Sequence, residues 1–170
     1  WLYFSTRMNP HNVTAYIVAA FFLVHDCGRP DLAEQVLREA QRHNPYNYQV
    51  YLEQGRVALK QAKFKSATRA FDAALRLLPN MENPDDIGRC IDKAAILTFR
   101  GLLYETIGEI EQALTCYKAV LGMFPEREGL KERVSQLETN ARASISPDVI
   151  WQNMIGIHRY ICSAEEDTHH

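Results

Sequence analysis

The compact run of side chains in this chain that could do chemistry is His25-Asp26-Cys27, a base, an acid and a thiol in succession. Zinc needs about four convergent ligands, and no second cluster of His and Cys supplies the rest. A catalytic thiol and its histidine normally come from distant points of a sequence, and neighbouring residues project in different directions. The trio stands just before Gly28, at a helix end, and reads as structural. His158, set among isoleucines, reads as a packed histidine. The paired acids Asp85/Asp86 and Glu165/Glu166 fall at a helix start and in a polar tail, where helix capping and solvation account for them. GxxxxGK[ST], GxGxxG, HExxH and GxSxG are all missing. No catalytic, metal or cofactor residue is expected, and the chain reads as a non-enzyme.

What the sequence does instead is repeat a phrase. AKFKSATRAFDAALRLLP (62–79) returns as GEIEQALTCYKAVLGMFP (108–125), and more loosely as GRPDLAEQVLREAQRHNP (28–45). Ala33, Ala67 and Ala113 stand at the same distance before Pro45, Pro79 and Pro125; Phe71 and Tyr117 follow the alanine by four residues, and Leu37 takes that place in the first copy. Ahead of each phrase lies a second periodic segment. In the middle copy, Tyr51, Gly55, Ala58 and Leu59 are spaced by three or four, as are Phe64, Ala67, Phe71, Ala74 and Leu75, which predicts two helices. Small residues at Gly55 and Ala67 let antiparallel helices approach closely. Pro79 ends the second helix, because the residue before a proline is pushed out of the α region. The third copy repeats this with Leu97, Gly101 and Tyr104, then Ile110, Ala113, Tyr117 and Val120. Gly108 suits the left-handed turn between helices, where the middle copy has Ala62 and should be slightly less favourable. The first copy carries one extra residue near HDCGRP.

At 170 residues the chain suits one domain or one short repeat array. A net charge of −2 gives no basic footprint for nucleic acid or anionic lipid, and the aromatics fall at core spacing rather than forming a stacking platform. No apolar run approaches the ~20 residues of a membrane span. Cys27, Cys90, Cys116 and Cys162 are scattered and read as free thiols, which leans towards a reducing cytoplasm. The chain begins at Trp1 rather than Met, so the soluble part of a membrane-anchored or periplasmic protein is the alternative.

The helix–turn–helix units with small and large residues at these places resemble the tetratricopeptide repeat, whose period is 34 residues. The resemblance implies an all-α fold, a right-handed superhelical α-solenoid of antiparallel helix hairpins, with repeats at 13–47, 48–81 and 94–127. It also implies an adaptor, scaffold or chaperone that binds a partner protein in the groove lined by the first helix of each pair, with neither nucleic acid nor a small-molecule substrate. By phase against the motif, the groove residues are Ile17, Phe21 and Val24 in the first unit, Leu52, Arg56 and Leu59 in the second, and Thr98, Leu102 and Glu105 in the third. These are mainly apolar with Arg56 the one cation, which argues against a clamp for a C-terminal carboxylate. They suit an amphipathic helix or apolar peptide, with Arg56 orienting an acid or a backbone carbonyl. A chaperone of a larger assembly or secretion system is a second member of the same class.

The remaining segments frame the repeats. Residues 1–12 end in Asn-Pro, as the units do, and read as the second helix of a preceding pair. The insert at 82–93 opens with Asn83-Pro84-Asp85-Asp86, a helix-start signal, and reads as a backward extension of the next helix. Residues 128–143 carry the narrow stripe Leu130, Val134, Leu137 and Ala141, as expected of a helix covering the end of a solenoid. A final helix at 147–163 is rich in apolar residues, with Trp151, Met154 and Ile155 offered either to the array or to a second copy as a homodimer contact. A polar tail, 164–170, follows, and its histidines are either native or left from a tag.

Overall fold

In a computed structural model the structure describes residues 8–79 and 87–139. These form seven helices: α1 (Val13–His25), α2 (Pro30–His43), α3 (Tyr48–Lys60), α4 (Phe64–Leu77), α5 (Ile87–Thr106), α6 (Ile110–Met123) and α7 (Glu128–Thr139). The helix-start signal at 83–86, the final helix at 147–163 with Trp151, Met154 and Ile155, the tail at 164–170 and most of 1–12 lie outside the described residues.

Local chemistry sets the helix limits. The side chain of Asn12 accepts from the N–H of Ala15 at 3.1 Å, and that of Asn47 accepts from Gln49 at 2.9 Å, each filling an orphan donor at a helix start. At the turns inside the pairs the chain passes through a left-handed residue: Gly28 (φ 61°), Ala62 (φ 54°) and Gly108 (φ 84°). The next N–H then returns to the helix, Lys63 to Ala58 O and Glu109 to Tyr104 O, each at 2.8 Å. In the first unit Arg29 reaches Leu23 O at 2.7 Å, one residue further back. The extra residue of that unit is therefore absorbed in its turn. Ala62 does adopt the strained conformation its position predicts.

α1 with α2, α3 with α4 and α5 with α6 pack as antiparallel hairpins. Each hairpin stacks on the next through α2–α3, α4–α5 and α6–α7, while α1 touches α3 and α3 touches α5. Packing thus runs between chain neighbours and helices two apart, the arrangement of an α-solenoid rather than of a closed bundle. The core follows the repeated phrase: Ala33, Ala67 and Ala113 are fully buried, as are Leu37 and Phe71, with Tyr117 nearly so. A Cβ placed on Gly55 would stand 2.4 Å from the Phe71 ring, and one on Gly101 would stand 2.4 Å from Tyr117. Glycine is required there because the ring occupies the space of the missing side chain. α5 begins at Ile87, so residues 87–93 lengthen one continuous helix.

Candidate partner-binding face

Three first helices, α1, α3 and α5, bring their stripes side by side, and the nine groove residues separate into two groups. Ile17, Phe21, Leu52 and Thr98 are half-buried and retain surface. Val24, Arg56, Leu59, Leu102 and Glu105 are buried. The expectation that all nine face a free groove is corrected for this second group, and the physical reason differs along the array.

Val24 packs with Ala20, Leu37 and Val57, while Leu59 and Leu102 belong to the main core cluster. Each is the last or central apolar residue of a stripe wide enough to turn part of itself into the hairpin. Arg56 donates to Glu53 Oε1 at 2.5 Å, and its guanidinium lies 5.1 Å from the centre of the Phe99 ring of the next first helix. Its Nε has no hydrogen-bond partner among the described residues. The side chain therefore spans from α3 to α5, and the buried pair with Glu53 neutralises it. The expected cation that would orient an acid is already engaged.

Glu105 is fully buried and belongs to a three-helix junction. The Tyr117 hydroxyl of α6 donates to its Oε2 at 3.0 Å, and Arg133 of α7 donates to both of its oxygens. Burial pushes the Tyr117 phenol well above its usual range, which keeps the hydroxyl a donor. The acid is thus the attachment point of the covering helix.

Near the other end, the Phe21 and His25 rings stand 4.3 Å apart. Burial holds His25 below the ordinary histidine pKa; Asp26 opposes this, and Arg56 and Lys60 add to the lowering. The end of α1 is therefore close enough to α3 to feel its cations. Asp26 and Cys27 are exposed, and the described residues hold no group of three or more His, Cys, Asp or Glu side chains able to bind a metal ion.

Glu53 and Phe99 were not among the groove residues expected. Glu53 carried a readable signal, since opposite charges three residues apart on a helix are neighbours. Arg133 carried none relative to Glu105, because only the stacking of α7 brings them together.

A family model described as tetratricopeptide repeat matches residues 94–127. This segment is similar to a tetratricopeptide repeat. With its seven described helices stacked as hairpins, the chain has the architecture of a tetratricopeptide-like α-solenoid. No curated protein and no solved structure matches the chain. Tetratricopeptide repeats generally mediate protein–protein interactions and are typically non-catalytic.

Proposed function

We propose that the array is a non-catalytic scaffold that holds one segment of a partner protein across α1, α3 and α5. The observation that carries this reading is the half-buried strip Ile17, Phe21, Leu52 and Thr98, which crosses three successive first helices. Among the nine residues expected in the groove the one cation, Arg56, is paired with Glu53. The four residues of the strip carry no charge, which favours the apolar face of an amphipathic helix over an acidic peptide. Thr98 adds little polarity, because its hydroxyl is satisfied by Ala94 O at 2.7 Å.

The test is the double substitution Ile17→Glu and Leu52→Glu, both at positions with surface to spare. Helical content by circular dichroism should be unchanged, and cross-linking in cell extract should lose its specific partner. Capture of the same partner at the same yield by the folded double variant would overturn the reading.

A further inference from the structure

The turns that lengthen α5 carry apolar surface that the described residues leave uncovered. Ile87 is 68% and Ile91 37% exposed, whereas Ala94, Ile96, Phe99 and Leu103 further along the helix are buried. At 100° per residue, Ile87, Ile91, Ala95 and Thr98 fall within about 80° of one another and form one stripe, roughly 16 Å long. Its far end is Thr98, part of the strip that crosses the first helices. Tyr48, the first residue of α3, donates its hydroxyl to Asp92, so the turn before Asp92 runs past the start of α3. Among the described residues that turn has no first helix beside it, and the two isoleucines stay exposed; Ala95 and Thr98 are half-buried.

Outside the described residues the sequence holds a stripe of the same kind. Ser146 and Pro147 are a helix-start signal, and Ile150, Met154, Ile157 and Ile161 follow at helical spacing. Ile150 to Ile161 is the same separation as Ile87 to Thr98, so the two stripes match in length. Between 147 and 163 the charged residues are Asp148 and Arg159, which cancel. The chain outside the structure also starts in the right place. α6 reverses the chain between α5 and α7, so α7 runs parallel to α5, and Arg133 on Glu105 sets the two side by side. Thr139 therefore stands about 20 Å from the Thr98 end of the stripe. The residues 140–146 span up to about 25 Å, enough for Pro147 to begin there. So short a tether gives the segment an effective concentration on the order of millimolar at this face, which favours its own chain over a second copy.

We propose that residues 147–163 pack as a helix antiparallel to α5, with Ile150 towards Thr98 and Ile161 towards Ile87, and so occupy the face offered to a partner. The driving force is the mutual burial of the two apolar stripes. The direction follows from the tether, because entry from Thr139 is at the Thr98 end. The proposal rests on the reading of that face as a partner-binding surface, and it adds regulation of the same surface. A partner's amphipathic helix binds only the fraction of chains whose own segment has left, which lowers its apparent affinity.

The chain carries its own reporter, since this orientation brings Cys162 beside Cys90, which is half-buried and in no disulfide. The experiment treats the full chain, dilute and without partner, with a short bismaleimide and maps the linked peptides by mass spectrometry. A Cys90–Cys162 link within one chain is expected, in clear excess over links from Cys162 to the exposed Cys27. Ile87→Glu with Ile91→Glu should reduce that link several-fold at unchanged helical content, and Met154→Glu with Ile157→Glu should do so from the other side. Absence of the link, a link formed only between chains, or an equal yield in either folded double variant would overturn the proposal. The link is read without a partner, and neither Ile17 nor Leu52 lies on the α5 stripe, so the cross-link and the partner capture can fail separately.

Discussion

The first and third units solve the same packing problem with different residues. In the third, Gly101 leaves the space that the Tyr117 ring fills; in the first, Ala20 and Leu37 stand at the matching places. The ring fits only where the opposing helix has given up its Cβ, so the two positions form one unit of choice. The same contrast recurs at the end of each first helix. Val24 and Leu59 are apolar there, while the third unit buries Glu105. Only the third unit has α7 stacked on it with an arginine in reach. The difference teaches that a repeat position is decided by the neighbour it meets.

The largest effect should come from the junction that sets the third unit apart. Glu105→Ala leaves Arg133 and the Tyr117 hydroxyl without their acceptor, and should cost about 3 kcal/mol in chemical denaturation. Replacing both charges by apolar residues, Glu105→Leu with Arg133→Met, should recover about 1 kcal/mol or more of that loss, the Tyr117 hydroxyl still lacking its acceptor. If the single and double variants are equally destabilised, the pair is not what holds α7.

Exchange of the ring positions comes next. Gly101→Ala should destabilise by about 1–3 kcal/mol, since the new Cβ drives Tyr117 from its site and overpacking outweighs the gain in helix propensity. Leu37→Phe in the first unit should cost a similar amount on its own. Combined with Ala20→Gly, it should recover at least about 1 kcal/mol as a coupling energy in a double-mutant cycle. Simple additivity would show that the ring and the small residue are independent.

A smaller gain is expected at the turns. Ala62 holds a left-handed conformation that its counterparts give to Gly28 and Gly108. Ala62→Gly should therefore raise stability by about 0.5 kcal/mol, the relief of strain exceeding the entropy that glycine loses. The matching change Gly108→Ala should lower it.

The smallest effect is electrostatic and lies on the surface of the first unit. The hydrogen bond from Arg29 holds the Asp31 carboxyl down at about 2 from an ordinary 3.8. Because the folded-state value is the lower one, the pair stabilises above 3.8 and loses its contribution as pH falls towards 2. The pair is exposed, and its effect should be visible in the carboxyl titration rather than in the melting curve. Arg29→Ala should move that titration back towards the ordinary value.

Much of this was legible in the residues. The spacing of Ala33, Ala67 and Ala113, the rings at Phe71 and Tyr117, and the prolines that end each phrase determine paired helices, because helix periodicity and backbone sterics act over a few residues. The positions Ile17, Phe21, Leu52 and Thr98 came from phase against the tetratricopeptide motif that the residues resemble. Phase alone could not separate them from Val24, Arg56, Leu59, Leu102 and Glu105. A stripe position says which way a side chain leaves its own helix, but not how much of that direction the next helix covers. Only the stacked array decided that Glu53 and Phe99 enclose Arg56 and that Arg133 claims Glu105. Those outcomes depend on atoms brought together across helices, and burial is a property of the assembled neighbours rather than of the segment that carries the residue.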